Sequence, residues 1–427
     1  MPLARHNLPQ RLIDQLRYAH WLTRERVIAW SIVLLVEEAL LLLFLALWQH
    51  GAFVPVAPSS SDFVSFYAAG KLVLAGTPEL AYDQAAHHLA QQQATVEGAP
   101  YQFFFYPPVY LILCGLLATL PYYVAFAVFQ SITLGMFILV MRRLLREQGG
   151  GWLAPLLAFP AVFWTLGLGQ NAFLTAALLG GFTMMLDKRP VGAGVLLGML
   201  CYKPHFGLLM PGALIAGRRW IAFDAAAATV VWLVTASIML FGWQTWHAYI
   251  DAFSHSGGVY DSGRIDFAGM ITPFGAARLL GFEAWPAYLV QGGSALVMAV
   301  MIALIWRADV SRNLRSAALL AATLLAVPLV LLYDKLLALV AIGWLLREAR
   351  ETGFLPWEKL VLLCVYPMSL VAWLVGQGFH VPVGPIVSCA VLVLCLRRVW
   401  LGMPARGASA PALPVQAGDE ALLEATP

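Results

Sequence analysis

Val27-Ile-Ala-Trp-Ser-Ile-Val-Leu-Leu-Val-Glu37-Glu38-Ala-Leu-Leu-Leu-Leu-Phe-Leu-Ala-Leu-Trp48 is an apolar run long enough to decide the class of the fold. As a helix it rises about 33 Å, enough to cross a hydrocarbon core of about 30 Å and too long for a cleaved signal peptide. Arg5, Arg11, Arg17, Arg24 and Arg26 precede it. Residues 1–26 therefore read as a cytoplasmic N-terminus followed by an uncleaved anchor. Glu37 and Glu38 fall near mid-span, where carboxylates are costly and turn towards a bundle interior or a cavity. A structural pair and a place on a proton path are the two readings of them.

The whole chain fits this class. Its 427 residues are 61% hydrophobic and 11% charged, the profile of a polytopic membrane protein rather than a soluble domain. Cys114, Cys201, Cys364, Cys389 and Cys395 all lie inside apolar runs at no metal-ligand spacing, so they read as packing residues. No zinc motif, P-loop or dinucleotide fingerprint is present. No cofactor and no nucleic-acid partner is expected.

Six basic clusters set the topology: Arg142/Arg143/Arg146, Lys188/Arg189, Arg218/Arg219, Arg307/Arg312/Arg315, Arg347/Arg350/Lys359 and Arg397/Arg398. If all are cytoplasmic, each apolar stretch between consecutive clusters leaves and returns as a hairpin. The five tips are then Gly167-Leu-Gly169-Gln170-Asn171, Tyr202-Lys203-Pro204-His205, a long segment from Trp243 to Arg278, Tyr333-Asp334-Lys335, and Gln377-Gly378-Phe379-His380. Pro107–Leu120 reads as a juxtamembrane or re-entrant helix that does not cross. The expected count is twelve spans: Val27–Trp48, Tyr122–Met141 and ten in hairpins. The expected layout is a transmembrane body over 27–402, with a first external loop at 49–121 and a long external loop at 243–283. A Pro- and Ala-rich tail at 403–427 reads as disordered and cytoplasmic.

The first external loop carries Asp62, just past the first span, followed by short amphipathic pieces with Tyr67, Gly70 and Lys71. An acidic group at that level suits a site where a water-soluble molecule meets a lipid-borne one. Val191–Tyr202 and His205–Ala216 are each too short to cross fully, at about 18 Å. Lys203-Pro204 is therefore expected below the membrane surface, where irregular backbone is tolerated only inside protein or against a wet cavity. A cation there is a candidate phosphate ligand, and snorkelling to the interface is the competing reading. Asp83 reads as the N-cap of a helix over Gln84–Gln93. His87-His88, being adjacent, do not share a helix face and do not read as a metal site. Gly257, Gly258, Gly263 and Gly269, mixed with Tyr260, Asp261, Arg264 and Asp266, suggest a loop that orders over substrate, or a passive connection.

Several motifs recur in an order that resembles glycosyltransferase family 87. They are Asp62-Phe63 with Tyr67-x-x-Gly70, Gly76-x5-Tyr82-Asp83, Tyr106-Pro107-Pro108, Gly169-Gln170-Asn171, Gly192-x-Gly194-Val-Leu-Leu-Gly198 running into Lys203-Pro204, and Pro328 with Tyr333-Asp334. His205 stands where the family often has an aromatic or apolar residue. The resemblance implies an all-α polytopic fold of the C-type glycosyltransferase kind, with juxtamembrane helices and the catalytic carboxylate in the first external loop. It also implies a polyprenyl-phosphate-linked sugar as donor, mannose above other hexoses, and an extracytoplasmic glycan or glycolipid acceptor at the plasma membrane. Under it Asp62 is the general base, and Lys203, His205 and Arg278 are candidate phosphate ligands, ahead of Lys335 and Lys71. Tyr67, Tyr106, Gln170 and Asn171 are candidates for the sugar, and Asp334 for the acceptor. No metal ligand set is expected. A secondary transporter is the rival class, disfavoured because the polar residues gather at tips on one face, and a non-catalytic envelope polysaccharide-handling membrane protein on the same scaffold is the other alternative.

Overall fold

The computed structural model describes residues 8–47, 61–146, 151–255 and 266–402. Gly257, Gly258, Tyr260, Asp261, Gly263, Arg264 and the 403–427 tail lie outside the described residues. All regular structure described is helical, apart from one isolated bridge between Met270 and Leu331.

Among the described residues six helices are long and apolar enough to cross a membrane: Arg24–Phe44, Tyr122–Leu144, Trp220–Ser254, Ala284–Arg307, Glu358–Phe379 and Val383–Gly402. We label the corresponding full helices α2 (Arg24–Leu47), α6 (Tyr122–Leu144), α12 (Trp220–His255, broken at Gly242 where φ is 77°), α14 (Ala284–Arg307), α17 (Glu358–Phe379) and α18 (Val383–Gly402). The remaining expected crossings are shorter helices broken at the tips. They are α8 (Pro160–Leu168), α9 (Ala172–Met185), α10 (Pro190–Met199), α11 (Met210–Ala216), α15 (Arg312–Ala326) and α16 (Leu336–Thr352). Pro160, Pro190 and Pro204 lie at starts of helical turns, where a missing N–H costs nothing, and Pro328 follows soon after the end of α15. Pro107–Leu120 contains the 11-residue helix α5 (Pro108–Ala118), about 16 Å long.

Short and long helices depend on each other. Gly194 and Gly198 of α10 lie against α12 so closely that a Cβ at either would come within 2.4 Å of the Ala222 carbonyl oxygen or 2.5 Å of the Thr229 Cβ. Two small residues four apart give this close approach, which matters in lipid, where packing replaces the hydrophobic drive between helices. α15 and α16 are buried along most of their length, so the centre of the bundle is made of helices that hardly meet lipid.

Contacts between distant segments follow the two expected sides. On the basic side, Asp187 pairs with Arg219 at 2.7 Å and Arg312 at 3.7 Å, joining three of the clusters. The N-terminal helix α1 (Leu8–Tyr18) docks on α17, with the Trp357 amide donating to the Arg17 carbonyl. Arg398 is no free surface charge, since its guanidinium forks onto Glu358 at 2.5 and 2.6 Å. On the tip side, the Asp62 amide donates to Leu168 O at 2.9 Å and Ile271 N to Val330 O at 3.0 Å. Thr272 Oγ1 donates to Pro328 O, and Gln377 Nε2 to Asp266 Oδ1 at 2.7 Å. The first loop and the tips thus form one contiguous layer.

Candidate active site

Asp62 stands immediately before α3 (Phe63–Leu74), at the position where an Asp normally caps the helix with its side chain. It makes no such bond. Asp83, by contrast, caps α4 (Gln84–Ala94) as expected, accepting from the Ala86 amide at 2.8 Å. The Asp62 carboxylate instead accepts from Gln170 Nε2 at 2.7 Å through Oδ2, and among the described residues nothing donates to Oδ1. Burial pushes its pKa up to about 6, against the pull of the Gln170 hydrogen bond and the Lys203 charge. It is a half-buried carboxylate, ionised at neutral pH and close to its own titration, as suits a general base.

Gln170 reaches Asp62 because α8 ends on Gly169 in the left-handed region (φ 66°), turning the chain into α9. A Cβ at Gly169 would come within 2.8 Å of both Phe63 and Phe126, so conformation and space both require glycine. Gln130, from the middle of α6, donates to the Gln170 carbonyl at 3.2 Å and braces the turn. Asn171 Nδ2 donates to the Tyr110 hydroxyl at 3.3 Å.

A wall of tyrosines adjoins these groups. Tyr106 and Tyr110 have ring centroids 4.6 Å apart, Tyr110 and Tyr202 stack at 5.1 Å, and the Tyr202 hydroxyl bonds Thr175 Oγ1 at 2.7 Å. Phe66 meets Tyr106 and Tyr110 edge-on. The Tyr106 hydroxyl feels both the Asp62 and Asp334 carboxylates, and burial with these charges holds its pKa well above the usual value.

Lys203 is 4% exposed and donates to Asp334 Oδ1 at 3.1 Å, while the other Asp334 oxygen accepts from the Leu331 amide at 3.2 Å. Burial raises the Asp334 pKa and the Lys203 charge opposes this. Lys203 also lies over the rings of Phe206 and Tyr333. Its place inside protein agrees with the short flanking helices, and its charge is already matched. Asp334, expected at the acceptor, here has both oxygens occupied.

The structure thus brings Asp62, Gln170, Asn171, Tyr106, Lys203 and Asp334 into one neighbourhood. His205, half-buried, packs beside Phe206, next to Lys203. Tyr67 and Arg278 face other partners. Tyr67 donates its hydroxyl to the Leu120 carbonyl at 2.9 Å, and Arg278 donates to Phe282 O at 3.0 Å and covers the Phe267 ring. None of these contacts joins them to the cluster. Tyr110, Tyr202, Thr175 and Gln130 were not singled out for the site from the sequence. A lone Gln in the middle of a span was the available signal for Gln130, and the four-residue spacing of Tyr106 and Tyr110 was the one for Tyr110. Among the described residues no group of three His, Cys, Asp or Glu side chains is placed to hold a metal ion.

The sequence profile of glycosyltransferase family 87 matches residues 104–332, more than half of the chain. The chain belongs to glycosyltransferase family 87. No curated protein and no solved structure matches it. Family 87 membership makes this a membrane glycosyltransferase, and the matched region carries Tyr106, Gln170, Asn171, Lys203, His205 and Arg278. Asp62 lies before that region and Asp334 two residues after it. The case for Asp62 therefore rests on its geometry.

Proposed function

We propose that the chain transfers a hexose, mannose above others, from a polyprenyl-phosphate donor to a glycan or glycolipid acceptor on the extracytoplasmic face of the plasma membrane, with inversion. The short helices α8 to α11, α15 and α16 complete twelve crossings in this reading, within a fold of the C-type glycosyltransferase kind. The observation that carries it is the Asp62 carboxylate, withheld from capping its own helix and aimed by Gln170. The acceptor hydroxyl gives its proton to Asp62 as its oxygen bonds the anomeric carbon. On the opposite face the bond from that carbon to phosphate breaks, and the phosphate oxygen leaves with the electron pair. A lipid phosphate is already a good leaving group, so the base and the collection of negative charge are the main demands on the protein.

The test is transfer from a polyprenyl-phosphate mannose in liposomes. Asp62→Asn keeps nearly the same shape but takes no proton, and is expected to lower turnover by about 10²-fold or more with the fold intact. Asp62→Glu recovers little, since displacement of the oxygens by about 1 Å spoils the attack geometry. Full turnover by Asp62→Asn would refute the assignment.

A further inference from the structure

Lys335 ends the short turn Leu332–Lys335 and is the N-cap residue of α16, a helix of 17 residues. It is 1% exposed, and its Nζ has no hydrogen-bond partner. The adjacent carboxylate does not neutralise it, because Asp334 is taken by Lys203 and the Leu331 amide. The turn packs against α8, whose end leads into Gly169 and Gln170, and against α9 and α16. Burial alone lowers the Lys335 pKa to about 7, with no neighbouring charge contributing. A buried ammonium without a partner is costly, and the positive end of a helix dipole at the same position adds to the cost. Both costs vanish if an anion binds here.

We infer that Lys335 and the N-terminus of α16 form a phosphate-binding site, and that Lys203 holds Asp334 in place. A phosphate offers several acceptor oxygens, enough for an ammonium and for main-chain N–H groups at the start of a helix together. Lys203 gives up a buried ion pair to bind one, whereas Lys335 gives up nothing. The identity of the phosphate as the head of the lipid donor rests on the glycosyl-transfer reading; the anion site itself does not.

The experiment is thermal unfolding of the full chain in detergent, alone, with a polyprenyl phosphate and with inorganic phosphate. The wild type is expected to melt higher with polyprenyl phosphate. Lys335→Met is expected to melt at least as high as wild type without ligand, because an unpaired buried charge has gone, and to bind the lipid phosphate at least tenfold more weakly. The double variant Lys203→Met/Asp334→Asn is expected to keep the ligand-induced rise. A Lys335-dependent rise with inorganic phosphate alone also supports the site and makes free phosphate its ligand. Absence of any rise in the wild type overturns the inference. So does a full rise in Lys335→Met, or in Lys335→Gln where the Met variant does not fold. None of these outcomes bears on Asp62, which is tested by turnover.

Discussion

The hydrogen bond from Gln170 to Asp62 fixes the pH at which the base becomes available. It favours the ionised carboxylate, and without it burial acts with less opposition. A hydrogen bond to a charged group contributes about 1.5–3 kcal/mol. At about 1.36 kcal/mol per pH unit, Gln170→Met moves the acid limb of the activity profile from about 6 to between about 7 and 8. The sign follows from the role, since a base with a raised pKa is protonated, and idle, over a wider acid range. At pH 7 the ionised fraction then falls about 2- to 15-fold. At pH 9 it is close to that of wild type, so the lost rate returns. The assay is the initial rate of sugar transfer in liposomes from pH 5 to pH 9, with donor and acceptor saturating. A limb that stays near 6, or a rate that remains low at pH 9, would refute the idea that Gln170 acts through the ionisation of Asp62.

Other consequences are as direct. Lys203→Met leaves the Asp334 carboxylate buried without its cation and is expected to cost about 3–5 kcal/mol of stability, seen as a lower melting temperature that Asp334→Asn partly restores. Recovery by the second substitution is the decisive reading. Gly169→Ala adds a Cβ 2.8 Å from Phe63 and Phe126 at a positive φ, and is expected to destabilise the turn by about 1–3 kcal/mol and to depress transfer, measured by melting and turnover together. For topology, cysteines at Glu97 and Gly378 should react with an impermeant thiol reagent in whole cells while one at Glu351 should not; labelling at Glu351 from outside would overturn the sidedness.

Much of the scaffold was legible because each signal is local. Val27–Trp48 and Tyr122–Met141 are continuous apolar runs, and they appear as α2 and α6. The shortness of the helices around Lys203 follows from counting residues between Arg189, Pro204 and Arg218. The break between Leu157 and Pro160 was missed, as apolar residues continue through it and only Pro160 marks it. In the candidate site, Asp62 and Gln170 were both picked out, but their bond joins residues 108 positions apart. The pairing of Lys203 with Asp334 spans 131 positions. No periodicity encodes such a partnership. Asp334 therefore reads from the sequence as an acceptor candidate with no sign of its pairing to Lys203, and Lys335 ranks low because its lack of a partner is a tertiary fact. Tyr67 and Arg278 rank as candidates by their place in the first loop and at a tip, and the structure bonds them to the carbonyls of Leu120 and Phe282.

The segment that delivers Tyr106 to the site has no regular secondary structure and, among the described residues, no neighbouring strand. Gln91 takes the place of one: its side-chain Nε2 donates to the Gln102 carbonyl at 2.6 Å and its Oε1 accepts from the Gln102 amide at 2.9 Å. His87, one turn earlier on α4, bonds the Ser65 carbonyl at 3.0 Å, and Ser65 Oγ donates to Phe103 O at 3.0 Å, so α3 and α4 grip the same segment. Because the Gln91 amide reads only main chain at position 102, tolerance to substitution is one-sided. Through this contact position 102 accepts any residue with an N–H, proline alone being shut out, whereas position 91 admits only an amide of the right reach.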